Sequence, residues 1–109
     1  MQPIKIYPEY ALIITYDIKP GVYEHYFRWV SNELFPSLQS RKLYVQHLWH
    51  VVGGAEPKPE RQIEFITEEL TTIRRLLDST EWQTLEARLQ QYTENLSYRV
   101  VKYTTSFKI

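Results

Sequence analysis

Glu33 stands where a carboxylate is not expected. On a helical wheel of about 100° per residue it falls inside an apolar arc, between Val22 and Tyr26 and beside Trp29. A carboxyl group held among apolar side chains has its pKa raised, which is one way a general acid or base is made. A helix end that frays before Pro36 would instead tilt Glu33 into solvent. His47 and His50 have the spacing of a metal-binding pair only on a helix. On a strand, residues three apart point to opposite faces, so the pair is not expected to hold a metal. Taken singly, His47 shares a strand face with Trp49, where an imidazole beside an indole suits acid–base work on an aromatic ligand or a hydrogen-bonded core position.

Aromatic residues surround these groups in the sequence pattern. Tyr16, Tyr23, Tyr26, Phe27 and Trp29 fall on the inner side of a strand or the inward arc of a helix. They suit the walls of a flat cavity for a planar ligand, and aromatics at this spacing also make ordinary core. His25, Arg28 and Asn32 lie to one side of the same helix, a solvated face from which Arg28 can reach a ligand carboxylate at a cleft mouth.

Composition excludes several kinds of chemistry. There is no cysteine, which removes thiolate metal sites, iron–sulfur clusters, disulfides and thiol nucleophiles. The 13 basic residues equal the 13 acidic ones and form no block, so the basic field that neutralises a nucleic-acid backbone is missing. No Gly-rich phosphate loop or nucleophile elbow is present. Residues 1–10 lack the apolar core of a secretion signal, and no run nears the roughly 20 apolar residues that span a bilayer. A cytoplasmic protein without a membrane partner is expected.

The positioning elements follow from periodicity. Tyr10–Ile18 is rich in β-branched and aromatic residues and ends at Lys19-Pro20-Gly21, so it reads as a strand. Apolar spacing of three and four from Val22 to Leu34 gives an amphipathic helix that Pro36 ends or kinks. Leu43–Val52 is a second strand, and Arg61–Ile66 alternates with a period of two as the returning arm of a hairpin across Gly53-Gly54 and Pro57/Pro59. Thr67 is expected to cap a helix carrying Leu70, Ile73, Leu76 and Leu77. Thr80 with Gln83 forms a capping box for another helix, with the stripe Trp82, Leu85, Leu89, Tyr92 and Leu96. Ser97–Phe107 is a final strand.

The order β-α-β-β-α-β over residues 1–109 implies one α+β domain: a four-stranded antiparallel sheet with its helices on one face. The other face is expected to be apolar as well, with Ala11, Ile13 and Thr15 on the first strand and either Tyr98 and Val100 or Val101 and Tyr103 on the last. Such a surplus patch calls for a second copy of the chain. A monomer would need its termini and the 53–60 loop to cover it.

A family resemblance emerges at this point. Lys19-Pro20-Gly21 before an aromatic-rich helix resembles the opening of the dimeric α+β barrel proteins, which are ferredoxin-like. Val52-Gly53-Gly54 with its proline loop, the strand Ile63–Ile66, Ser79-Thr80-Glu81-Trp82 and Tyr98-Arg99-Val100-Val101 resemble the antibiotic-biosynthesis monooxygenase and NIPSNAP-type branch. The resemblance implies a homodimer with a pocket between sheet and helices, and an activity toward a small organic molecule, in some members oxygenation without cofactor or metal. On that reading Tyr16, Tyr26, Trp29 and Trp49 hold a planar substrate and Glu33 or His47 removes a proton. The alternatives are a non-enzymatic, stress-related ligand-binding dimer and a haem-binding or haem-degrading protein. The resembling motifs are turns and caps, which specify the fold and not the activity.

Overall fold

The computed structural model describes residues 7–50 and 61–103, without the side chains of residues 47–50. The first strand, β1 (Tyr10–Ile18), leads through Lys19-Pro20-Gly21 into α1 (Tyr23–Trp29). Gly21 has φ +80°, so the turn needs the left-handed conformation that glycine adopts without a Cβ penalty, with proline pre-setting the residue before it. A π-helical turn (Val30–Leu34) and α2 (Phe35–Gln39) extend the helix. Then come β2 (Tyr44–His50), β3 (Arg61–Thr67), α3 (Leu70–Leu77), α4 (Thr80–Tyr92) and β4 (Thr93–Lys102).

The strands form one antiparallel sheet in the order β2-β3-β1-β4. Strand β1 lies between β3 and β4, with Leu12 opposite Phe65 and Val100, and Ile14 opposite Ile63 and Tyr98. Leu12, Ile14, Tyr16, Ile63 and Phe65 alternate along their strands and form one core with Tyr26, Trp29, Leu34, Leu38, Ile73, Leu76, Trp82 and Leu89. The helices therefore cover a single face of the sheet, as the β-α-β-β-α-β order requires.

The other face is less apolar than the strand alternation implies. The register makes one apolar row, Ile66–Ala11–Val101, then a charged row with Ile13 between Glu64 and Arg99, then a polar row of Gln62, Thr15 and Ser97. Ala11, Ile13 and Ile66 are already buried within the single chain. Tyr98 and Val100 belong instead to the helix side, paired with Ile14 and Leu12, and stay exposed because β4 is an edge strand. The other edge, β2, exposes Val45.

Three boundaries differ from the periodicity reading. Thr67 is not a helix cap. It is the last residue of β3, opposite Tyr10 and buried, and α3 begins after Glu69 with no side-chain cap bond. The cap of α4 falls one residue before the expected Thr80: Ser79 Oγ accepts from the Trp82 backbone N–H at 3.1 Å. Ser79→Ala should lower stability by about 1 kcal/mol, read as a shift in the urea midpoint, because that N–H then loses its acceptor.

The third difference is Leu96, which continues the helical stripe in sequence but lies in β4. The helix stops at Tyr92 because Thr93 turns to extended backbone, its Oγ1 donating to the Leu89 carbonyl at 2.8 Å. The Lys19 N–H donates to the Tyr92 carbonyl at 2.8 Å, which ties the helix end to the end of β1. Residues 51–60 and 104–109, including Gly53-Gly54, the proline loop and the tail of the expected last strand, lie outside the described residues.

Candidate functional site

Tyr16 and Tyr26 meet where α1 crosses the sheet. Tyr16 stands on the helix side of β1 and is fully buried, and Tyr26 is one of the two buried residues of α1. Their hydroxyls share a short hydrogen bond, and their rings lie edge to face with centroids 5.8 Å apart. A β-bulge in β4 faces Tyr16: Thr15 pairs with Ser97 and Asp17 with Glu94, which leaves one additional residue on β4. Asn95 supplies the bulge with φ +57° and donates from Nδ2 to Asp17 Oδ2 at 2.8 Å. Such bulges bend a strand locally and re-aim the side chains around them.

Arg61, the first residue of β3, is paired with Tyr16 and reaches the same cluster. Its guanidinium lies 5.7 Å from the centre of the Tyr23 ring, with Nη2 at 3.4 Å from the Tyr23 hydroxyl, a long and weak contact. Tyr23 packs on Tyr26 at 6.0 Å and stacks on Phe27 at 6.2 Å. An aromatic ladder thus runs from the buried Tyr16 through Tyr26 to Tyr23 and Phe27, which are exposed and not inward as their helical spacing implied, with a cation beside it.

Burial pushes both inner phenols above the usual tyrosine range. For Tyr16, the neighbouring Tyr26 adds to that rise. For Tyr26, burial is opposed by the Tyr16 hydroxyl and by Arg61, each of which favours a charged Tyr26 oxygen. Both phenols therefore stay neutral and hydrogen-bonded to each other in a buried setting.

Trp29 and Glu33 belong to a second cluster. Trp29 is buried and packs on Tyr92 of α4 at 6.0 Å. Glu33 is exposed, as the reading that tilts it into solvent ahead of Pro36 anticipated, and does not stay in the apolar arc. The reason is the π-helical turn, in which the Phe35 N–H reaches back five residues to the Val30 carbonyl. One residue is added to the turn just ahead of Pro36, whose ring would clash with the carbonyl four residues earlier in a regular helix. Leu34 and Leu38 keep their places in the core while Glu33 rotates out.

Both residues line a groove of about 290 Å³ between α1 and α4, together with His25, Arg28, Asn32, Arg88 and Tyr92. The structure thus divides the candidates between two places, Tyr16 with Tyr26 and Trp29 with Glu33. The backbones of His47 and Trp49 pair with Glu64 and Gln62, and their side chains lie outside those described. Among the described residues no group of three or more His, Asp or Glu could hold a metal ion. No helix among them is long and apolar enough to cross a membrane.

Arg61 is the site residue that sequence reading passed over. Its signal was present, because Arg61, Ile63 and Phe65 share one period-two face and a lone cation on a core face is unusual.

No family model matches the sequence, and no curated protein matches it. Solved structures do match in fold. A NIPSNAP family protein from Agrobacterium tumefaciens aligns with a TM-score of 0.64 at 15% identity, covering 97% of this chain and 95% of that one. An uncharacterised NIPSNAP domain protein from Burkholderia xenovorans aligns at 0.58 and 13% identity, over 92% and 98% of the two chains. A dimeric protein of unknown function with a ferredoxin-like fold, from Bacteroides fragilis, aligns at 0.55 and 12% identity, over 89% and 100%. The chain therefore has the ferredoxin-like α+β fold. Within that class its fold is similar to that of NIPSNAP family proteins, the branch its turns and caps resemble.

Proposed function

We propose that the protein binds and turns over a small planar organic molecule at the wedge between α1 and the sheet. The observation that carries this reading is the buried Tyr16–Tyr26 hydroxyl pair, with Arg61 beside it and an aromatic ladder leading to it. With Tyr16 donating within the pair, the O–H of Tyr26, the less enclosed of the two, is the donor for a ligand oxygen. Negative charge develops on that oxygen, as in an enolate or phenolate, and the Arg61 charge lies beside it. Donors preorganised in a dry site stabilise such charge far more than water does. Glu33 lies in the neighbouring groove, so oxyanion stabilisation carries the chemistry, and the ligand's proton passes to hydroxide or buffer before the enolate is enclosed.

The most specific version is a cofactor-independent oxygenation. Anthrone, C14H10O, tests it: loss of its C10 proton leaves an enolate, and reaction of that carbanion with O2 gives anthraquinone, C14H8O2, and one water. Oxygen uptake with anthrone should exceed the buffer rate. It should fall by about a hundredfold in Tyr26→Phe, the scale of losing one oxyanion donor. Uptake at the buffer rate would remove the oxygenase. Saturable quenching of protein fluorescence by anthrone that Tyr26→Phe leaves unchanged would remove the tyrosine pair as the site.

The assembly proposed is a homodimer. Exposed apolar residues on both edge strands, Val45 on β2 and Tyr98 and Val100 on β4, favour closure against a second copy. The dimeric description of the Bacteroides neighbour agrees with this reading. Light scattering behind a sizing column should give twice the 13.2 kDa chain mass, and a monomer would overturn it.

A further inference from the structure

We infer that the groove between α1 and α4 is a separate binding site for a planar aromatic monocarboxylate. It is lined by residues apart from the Tyr16–Tyr26 pair and does not depend on the reading given for that pair.

The groove has the parts such a ligand requires. Arg28 comes from α1 and Arg88 from α4, and a single carboxylate, Glu33, stands among them. Arg88 is held in place: its Nε donates to the Tyr92 hydroxyl at 3.1 Å and its guanidinium sits 5.7 Å from the Tyr92 ring centre. That bond uses one edge of the guanidinium and leaves its terminal nitrogens for a carboxylate. A preorganised arginine also loses less freedom on binding than a free one.

The wall of the groove is aromatic. The half-buried Tyr92 lies beside the two cations, backed by the buried Trp29, which packs on it at 6.0 Å, tilted by 43°. A volume of about 290 Å³ suits a one- or two-ring molecule and little more. Glu33 sets the charge limit, because it repels the second negative charge of a phosphate dianion or dicarboxylate while two arginines neutralise the first. The π-helical turn is part of the construction, since it rotates Glu33 out to the rim and places Asn32 beside it. An aromatic monocarboxylate satisfies all of these features together.

The test is a titration of the ¹⁵N-labelled full chain with benzoate, followed through the indole N–H signals of its three tryptophans. The Trp29 signal should move saturably within about 20 mM, the range of a millimolar site. Neutral benzamide should bind at least about tenfold more weakly, and Arg28→Gln and Arg88→Gln should each weaken benzoate by about tenfold, the scale of a charge-assisted hydrogen bond. Glu33→Gln should strengthen benzoate and narrow its advantage over the dianion phthalate. All three substitutions fall on exposed side chains, so an unchanged spectrum verifies folding. The inference is overturned by no saturable shift at Trp29, by equal binding of benzamide, or by arginine variants that bind benzoate as the native chain does.

Discussion

Phe65→Ala should lower the free energy of unfolding by about 3–5 kcal/mol, the range that emptying a large aromatic site in a core produces. Phe65 has no exposed surface, lies opposite Leu12 and Val45 in the sheet, and meets Phe35 edge to face at 5.9 Å. The substitution removes a ring from the joint between the central strands and the segment that follows the π-helical turn. Surrounding strands are fixed by their ladders and cannot close over the space, so a cavity term adds to the lost transfer energy. Domains of this size are commonly stable by about 5–15 kcal/mol, so the loss is a large share of the total. Urea unfolding at one fixed protein concentration measures it as a lower midpoint with an unchanged slope. A loss below about 1 kcal/mol would show that Phe65 does not hold this joint.

Alkaline pH should unfold the protein through Tyr16 and Tyr26. In the unfolded chain a tyrosine titrates near 10, and in the fold both phenols are pushed higher, chiefly by burial. The folded state therefore retains protons that the unfolded state releases. Their contribution is fully present below pH 10 and is lost as the pH rises through the folded values. Once the unfolded groups are ionised, the slope is about 1.4 kcal/mol per pH unit for each phenol. The two together approach a decline of about 2.7 kcal/mol per pH unit. Urea melts at pH 9, 10 and 11 should show stability level at first and then falling. Tyr16→Phe/Tyr26→Phe should be less stable at neutral pH, through loss of the buried hydrogen bond, yet flatter above pH 10. An equal slope in the native chain and the double variant would place the alkaline transition elsewhere.

Phe65 and the tyrosine pair belong to the same core. Phe65 tests how tightly β3 is packed, and the tyrosine pair tests a polar contact enclosed by that packing. The enclosure that makes the pair expensive to ionise also makes it a strong donor to a ligand oxygen. A contribution to stability and a role at a site are compatible here, because both come from phenols kept neutral in a dry environment.

Much of the fold was legible in the sequence because alternation and helical spacing are local patterns. Tyr10–Ile18 begins and ends where its composition indicates, and the β-α-β-β-α-β order leaves the antiparallel β2-β3-β1-β4 sheet as its natural solution. Tyr16 and Tyr26 were recognisable as inward residues for the same reason. Tyr23 and Phe27 are placed inward by their spacing and are exposed. Of the two readings of Glu33 the solvent-facing one holds, since a wheel assumes a constant turn angle and Pro36 imposes a π-helical turn just before itself. Leu96 misled in the opposite way. It keeps helical spacing beyond Tyr92, but Thr93 and the Lys19 contact end the helix first.

Strand faces, approximate helix extents and the absence of thiol chemistry were thus set by the sequence on its own, since each depends on residue type and short-range period. The tertiary structure decided which inward residues meet. It paired Tyr16 with Tyr26, brought Arg61 beside them from 35 positions further along the chain than Tyr26, and moved Trp29 and Glu33 into a different groove with Arg88. The physical reason is that periodicity fixes the direction of a side chain relative to its own element. The distance between two side chains depends on strand register, a bulge at Asn95 and the phase of a helix beyond its π turn. Those quantities are set when the elements pack, and no local pattern encodes them.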